Sequence, residues 1–203
     1  MTFDRVAPFY DLLARLAFGQ SLRRAQLWGI DHIRPGSRVL VLGGGTGGTL
    51  AHLLARQPSY VLYVEASAVM LKMAKQRTQP HAPVAFVLGT ERDVPAMELF
   101  EYILLPFVLD VHLIDTLTTH MLPRLLAHLP AGGQLIVTDF DRPQRYWQRA
   151  YMWVMLRFFR LTAGIPVKTW TNWPQTLWQA GLVEQDVCLF RAGQVRSGCW
   201  VRA

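Results

Sequence analysis

The sequence has few cysteines, and neither lies in a metal-binding pattern. Cys188 and Cys199 are the only two among 203 residues, too few for the disulfide framework of a small secreted domain. Neither has a second cysteine or a histidine at zinc-binding spacing, and metal ligands are not evident elsewhere. We therefore expect two reduced thiols, in a C-terminal hairpin with Ala192 and Gly193 near its turn.

Long apolar runs are also missing. No stretch of about 18 uncharged apolar residues occurs, which excludes an ordinary membrane-spanning helix, and residues 1–5 lack the basic-then-apolar start of a signal peptide. We expect a cytoplasmic protein. The chain is 51% hydrophobic and 17% charged, with no repeat or low-complexity segment. This length and composition predict a single domain over residues 1–203.

Acidic residues are scarce in the last third of the chain. The net charge is +7, but residues 1–135 carry 12 basic and 10 acidic side chains, whereas 136–203 carry 9 and 4. If Pro143 begins a helix, one stripe collects Trp153 and five arginines: Arg142, Arg145, Arg149, Arg157 and Arg160. The opposite side of that helix would be apolar. The pattern is typical of a helix lying on an anionic membrane, and also of a helix that packs on a sheet or roofs a pocket.

A buried strand followed by glycines is the most informative feature present. Residues 39–42 are continuously apolar, as in a strand covered on both faces, and Gly43–Gly48 allow a tight turn and a close approach to a ligand. A helix predicted over 49–55 would point its N-terminal N–H groups into this corner. The next apolar run ends at Glu65, placed to accept hydrogen bonds from a ribose. The glycines alone fit either a dinucleotide or S-adenosylmethionine (SAM).

The neighbouring residues favour SAM. The pattern V-L-x-L-G-x-G-T-G over residues 39–47 resembles the first motif of class I SAM-dependent methyltransferases, and four further stretches, 65–71, 86–91, 100–104 and 129–137, resemble later landmarks of that superfamily in the right order. The resemblance implies SAM as cofactor. It also implies a cofactor site formed by Gly43, Gly45, Thr46, Gly47, Glu65, Ala66, Thr90, Glu91 and Pro106. Val41 and Thr90 stand where the superfamily usually has acidic residues, so Glu91 is the expected acceptor for the adenine amino group.

The predicted fold is α/β: a doubly wound, mostly parallel seven-stranded sheet with a C-terminal antiparallel hairpin, as in the Rossmann-like SAM methyltransferase fold. Apolar runs predict strands near 38–42, 60–64, 84–88, 101–105, 134–139, 183–190 and 195–202. The last two strands have no room for a helix between them, so they should pair as a hairpin.

The N-terminal segment points to a subgroup. Residues 3–13, then Phe18-Gly19 and Leu27-Trp28, are similar to the entry helices of the ubiquinone/menaquinone-biosynthesis C-methyltransferases, and bacterial phospholipid N-methyltransferases share some of this pattern. The resemblance implies a lid of entry helices over residues 1–35, with Tyr10 near the substrate. A helical insertion over 142–180, rich in tryptophan, predicts a large apolar acceptor.

We predict methyl transfer from SAM to a lipophilic small molecule, a quinone-precursor-like ring or a lipid, with possible peripheral contact to an anionic membrane. SN2 transfer asks mainly for positioning, and a base could assist at a phenolic ring. Tyr10 and His112 are the candidate catalytic residues, with Phe107 in the pocket and Asp110 and Asp139 as further bases.

Four other functions are compatible with parts of the sequence. They are a non-catalytic SAM-fold scaffold, a phospholipid N-methyltransferase, an NAD-dependent oxidoreductase and a nucleic-acid methyltransferase. The chain contains no Tyr-x-x-x-Lys for hydride chemistry. The stretch Leu104-Leu105-Pro106-Phe107 lacks the polar residue of amino-directed base methyltransferases, so we expect no nucleic-acid partner.

Overall fold

The computed structural model describes residues 18–142, 146, 157 and 172–203. The strands are β1 (Arg38–Leu42), β2 (Tyr60–Glu65), β3 (Val84–Leu88), β4 (Tyr102–Pro106), β5 (Gln134–Phe140), β6 (Leu182–Phe190) and β7 (Val195–Arg202). The helices are α1 (Ser21–Ile30), α2 (Leu50–Ala55), α3 (Ala68–Gln76), α4 (Ile114–Thr116), α5 (Leu122–Ala127) and α6 (Trp173–Gln179). A 3-10 turn spans Glu91–Asp93, and a π-helical turn, Leu117–Met121, joins α4 to α5.

Seven strands within the described residues form one sheet, in the order β3-β2-β1-β4-β5-β7-β6. The first five strands are parallel, and β7 inserts antiparallel between β5 and β6. The predicted doubly wound sheet and its C-terminal hairpin are confirmed. Five boundaries in four strands differ by one residue from the prediction. Most of them lengthen a strand, because backbone pairing continues past the apolar run, as where Glu65 still pairs with Leu88.

Apolar side chains cover both faces of the sheet, as the uninterrupted hydrophobic strands predict. On one face, Leu40, Leu62 and Ile103 pack with residues of the 114–127 helical segment and with Trp173. On the other face, Val39, Val61 and Ile136 pack with residues of α1, α2 and α3. Among the described residues, no helix combines the length and the hydropathy needed to cross a bilayer.

The hairpin holds both cysteines, but not opposite each other. Cys188 pairs in register with Ser197, and Cys199 with Asp186, and both thiols are free, as expected. Cys199 is buried, and burial raises the pKa of its thiol to about 12, which makes it unreactive. Cys188 is only half-buried, so it is less of a core residue than predicted.

Candidate functional site

A cleft of about 750 Å³ opens at the carboxyl ends of β1, β2 and β4. The strand order reverses between β1 and β4, and ligands of open α/β sheets bind at such a switch point. The volume is in the range of small-molecule sites. Five stretches of the chain and Met121 line it. The stretches are residues 19–26 at the start of α1, the glycine turn, residues 65–70 at the end of β2, 89–91 after β3 and 106–112 at the end of β4.

Three glycines of the turn are required by the protein's own packing. A Cβ at Gly43 would lie 2.6 Å from Val108 Cγ2, and one at Gly44 would overlap the Tyr63 ring. A Cβ at Gly47 would lie 2.9 Å from Ala74 Cα, in α3. The turn can therefore pack tightly between β2, α3 and the loop after β4 only without side chains.

Gly45 differs from these three glycines. Its φ of +64° is a left-handed conformation that disfavours any side chain. Yet a Cβ there would have only Met70 Sδ within 4 Å, at 3.9 Å. Gly45 lines the cleft, so the space beside it fits the close approach of a ligand to bare backbone, as the SAM motif implies.

Glu65, the last residue of β2, is buried at the edge of the cleft. Its Oε2 accepts a hydrogen bond from Gly45 N at 2.9 Å, and its Oε1 accepts one from Ser67 N at 2.8 Å. The two hydrogen bonds fix the Glu65 carboxylate beside the glycine turn. This position is compatible with its predicted role as acceptor for ribose hydroxyls.

Two side chains that the sequence analysis missed support the glycine turn. Arg77, just after α3, donates from Nη1 to Thr46 Oγ1 at 2.8 Å and to Thr46 O at 3.0 Å. The Tyr63 hydroxyl donates to Gly45 O at 3.1 Å. Val41, which replaces an acidic residue, lies in register with Tyr63 and within the same apolar cluster. Nothing short-range in the sequence marks the Arg77 contact, because 31 residues separate the partners.

Residues 89–91 form the wall expected to face adenine. Thr90 N donates to Asp93 Oδ2 at 2.8 Å, and the Thr90 hydroxyl accepts from Arg92 N at 3.3 Å. Thr90 therefore caps the 3-10 turn, although it also lines the cleft. Glu91 lines the cleft with its side chain 11% exposed, and its carboxylate lies 3.6 Å from Arg92 Nε.

The end of β4 and the loop that follows it line the cleft with Pro106, Phe107, Val111 and His112. Phe107 has a φ of +58°, which is unusual for a residue with a side chain. Burial lowers the pKa of His112, a shift that nearby Glu91 partly opposes. The imidazole is therefore neutral near pH 7 and has the protonation state of a base.

The structure brings most of the predicted site residues together. Gly43, Gly45, Thr46, Glu65, Ala66, Thr90, Glu91, Pro106 and His112 all line the cleft. Gly47 does not, because it faces Ala74 of α3. Asp110 and Asp139 are buried and outside the cleft lining, so they are poorly placed to act as bases. Tyr10 and almost all of the predicted basic helix lie outside the described residues.

Comparison with known proteins agrees with this site. Residues 39–133 match a family model described as a methyltransferase domain. The chain is 27% identical to the ubiquinone/menaquinone biosynthesis C-methyltransferase UbiE of Geotalea daltonii, over 80% of this chain and 72% of that protein. It is 28% identical to UbiE of Vibrio campbellii, over 70% of this chain and 56% of that protein. The chain thus spans just over half of the second relative.

Solved structures show the same fold at low sequence identity. The Burkholderia thailandensis 1,6-didemethyltoxoflavin-N1-methyltransferase, solved with its substrate and S-adenosylhomocysteine, has a TM-score of 0.68 at 18% identity and covers 97% of this chain and 84% of its own. The N-methyltransferase NodS of Bradyrhizobium japonicum has a TM-score of 0.64 at 16% identity, with 96% and 97% covered.

The family match begins in β1 and includes the glycine turn, Glu65 and the wall at residues 89–91. The fold, the switch-point cleft and the bare backbone at Gly45 agree with that match. The match to a methyltransferase domain over residues 39–133, the UbiE relatives and the shared fold support SAM-dependent methyltransferase activity, with SAM as the cofactor.

Proposed function

We propose that this methyltransferase transfers the methyl group of SAM to a lipophilic small molecule, a quinone-precursor-like ring or a lipid. The observation that carries the proposal is that a single cleft joins the glycine turn to an apolar wall. That wall consists of Leu22, Phe107, Val108, Val111 and Met121. Gln20, Arg23 and Gln26 near Leu22 also line the cleft, so a ring with an apolar tail would bury its surface on the apolar wall and keep its polar groups near these side chains. The UbiE relatives, named for quinone biosynthesis, support the same acceptor class.

The cofactor end of the cleft would hold SAM through backbone and carboxylate groups. In the proposal, Gly43 and Gly45 allow the close approach, Thr46 keeps its hydroxyl at the turn, and Glu65 accepts from the ribose. Ala66, Thr90 and Pro106 line the remaining wall, and Glu91 accepts from the adenine amino group. Gly47 acts indirectly, by letting the turn pack on α3.

The chemistry needs little from the protein beyond placement. When bound, SAM supplies an activated methyl group on a sulfonium. The chain would hold the acceptor in line with that methyl group and exclude water. His112 would take the proton from a ring hydroxyl, since its neutral imidazole lines the cleft. Tyr10 stays a candidate for the same part of the site on the sequence resemblance alone.

The proposed location is the cytoplasm, with peripheral contact to anionic membranes. This part of the proposal rests on the sequence, where six basic residues and no acidic one lie between Arg142 and Lys168. A basic, amphipathic segment of this kind would bring the enzyme to the surface in which lipophilic acceptors dissolve.

Transfer of a labelled methyl group tests the proposal. The full chain would be incubated with SAM labelled on its methyl group and one of three acceptors: a prenylated quinol kept reduced, phosphatidylethanolamine vesicles or a mixed tRNA pool. We expect label in the quinol, at a rate reduced about tenfold in His112→Gln while S-adenosylhomocysteine still binds. Label mainly in the phospholipid would indicate an N-methyltransferase instead. Binding of S-adenosylhomocysteine without transfer to any acceptor would contradict catalysis and favour a scaffold.

A further inference from the structure

The loop after β4, residues 107–112, forms one wall of the cleft and is held in place from β5. Phe107 N donates to Thr138 O at 2.7 Å. Leu109 N and Asp110 N both donate to Asp139 Oδ2, at 2.8 and 3.2 Å. Further along the loop, His112 N donates to Leu109 O at 3.3 Å. One buried carboxylate of β5 therefore holds the middle of the loop whose two ends, Phe107 and His112, face the cleft.

The loop has a conformation that needs such support. Phe107 lies at a φ of +58°, and a non-glycine residue in this region persists only where the surroundings over-determine it. The Phe107 ring packs on Phe140, with centroids 5.2 Å apart, and Phe140 packs on Phe18 at 5.1 Å. The positive φ turns the chain after Pro106, so that Phe107 and Val108 both reach the cleft.

Asp139 has no cationic partner among the described residues. It is fully buried, and Arg196 lies opposite it in the β5–β7 register. The Arg196 guanidinium instead binds Glu184 and, at 3.4 Å, Asp141. The acidic neighbour of Asp139 is Asp110, whose carboxyl lies within its hydrogen-bonding reach.

This pair is costly to bury. Burial raises the pKa of Asp110 to about 6, and burial together with the charge of Asp110 raises that of Asp139 well above its usual range. In addition, Asp110 Oδ1 has no hydrogen-bond partner among the described residues. An apolar pair would fold more easily at these positions. The Asp139 carboxylate accepts the hydrogen bonds of Leu109 N and Asp110 N, and so holds the loop.

We propose that Asp139 is a positioning residue for the methyl acceptor: it holds residues 107–112 so that Phe107 and His112 shape the acceptor end of the cleft. The inference rests on the proposed function, because it concerns where that acceptor binds. Asp110 completes the arrangement as the partner of Asp139. Neither carboxyl touches the reacting atoms, so both act through the loop.

Two substitutions at Asp139 and one matched control separate positioning from general stability. Asp139→Ala removes both loop contacts, whereas Asp139→Asn keeps one acceptor oxygen that can take them. Thr138→Val is the control. Thr138 neighbours Asp139 on β5, but its hydroxyl bonds Ser197 at 2.8 Å on the opposite face of the sheet. The Thr138→Val variant therefore loses a buried hydrogen bond to Ser197 but no side-chain contact to the loop.

The first readout is hydrogen exchange of residues 107–112, which needs no acceptor. We expect exchange to become at least about tenfold faster in Asp139→Ala, to stay close to wild type in Asp139→Asn, and to stay unchanged in Thr138→Val. Equal loop exchange in wild type and Asp139→Ala would overturn the inference, as would an equal acceleration in Thr138→Val.

The second readout is steady-state kinetics with the acceptor that the labelling experiment identifies. We expect kcat/KM for that acceptor to fall about tenfold or more in Asp139→Ala, with rescue by Asp139→Asn. Affinity for S-adenosylhomocysteine should fall much less than this, because Gly45 and Glu65 keep their own hydrogen bond, although Val108 of the loop touches the glycine turn. If Asp139→Ala lowered the affinity for S-adenosylhomocysteine as much as it lowered kcat/KM for the acceptor, Asp139 would have only a structural role. If no acceptor is methylated by wild type, the proposed function fails, and the exchange measurement still reports whether Asp139 holds the loop.

Discussion

The two ends of the cleft are built differently. At the cofactor end, glycines and backbone N–H groups fix the geometry, and the contacts join residues that are 2 to 31 positions apart, from Ser67 with Glu65 to Arg77 with Thr46. At the acceptor end, a strained loop is held by a buried carboxylate about 30 positions away. The first arrangement needs no buried unpaired charge, and its glycines form a recognisable sequence motif. The second contains features that destabilise the fold: Phe107 in a left-handed conformation, and the buried acids Asp110 and Asp139. Such features are expected where a site is adapted to one acceptor.

Substitution of Gly45 should have the largest effect, confined to the cofactor end. In Gly45→Val a branched side chain would enter the space beside the bare backbone, at a φ of +64°. We expect S-adenosylhomocysteine to bind at least about 100-fold more weakly by calorimetry, about 3 kcal/mol. Gly132→Val is the matched control, because Gly132 has a φ of +77° with open space around it, outside the cleft lining. A similar loss of affinity in both variants would attribute the effect to backbone strain.

Removal of one buried acid should stabilise the protein at the acceptor end. The pKa of Asp110 is raised to about 6, so the folded state binds more protons than the unfolded state between about pH 4 and 6. Stability therefore falls as the pH rises through that window. We expect Asp110→Asn to increase the free energy of unfolding at pH 8 by on the order of 2 kcal/mol, and not at pH 4. A urea titration at both pH values checks this, and a gain of equal size at pH 4 would refute the assignment to charge burial.

Substitution of Glu65 should weaken the cofactor end without affecting the loop. Glu65→Ala removes the acceptor of two backbone N–H groups and of the expected ribose bonds. We expect about 1 to 2 kcal/mol weaker binding of S-adenosylhomocysteine in calorimetry. Glu101→Ala serves as control, since that carboxylate also accepts from a backbone N–H, of Arg38 at 2.8 Å, but at the opposite edge of the sheet. Equal losses in the two variants would contradict a direct role for Glu65.

The effect of His112 should be the smallest and should appear only in the rate. Because burial lowers the pKa of His112, activity should fall on acidification only below the ordinary histidine value of about 6.5. We expect His112→Gln to reduce kcat by about tenfold and to remove that acid limb, with cofactor affinity unchanged. An identical pH profile in wild type and variant would exclude His112 as the base.

The separation of contacting residues along the chain decides what could be predicted from the sequence. The apolar runs predicted all seven strands to within one residue at each end. The glycines and Glu65 were predicted to meet at one corner, and they line the same cleft, because these signals lie within short stretches. The supports from Tyr63, Arg77 and Asp139 were missed, since each bridges residues that only the folded sheet brings together. Asp139 was predicted as one candidate base, but the structure places it outside the cleft lining. An acid after an apolar run suggested a base, whereas burial made it an anchor.

The most direct test of the central claim is a crystal structure of the full chain with S-adenosylhomocysteine. The account predicts the ligand against the bare backbone of Gly45, its ribose hydroxyls on the Glu65 carboxylate and its adenine beside Thr90 and Glu91. A ligand bound away from the glycine turn, or a Glu65 carboxylate directed away from the ribose, would contradict it.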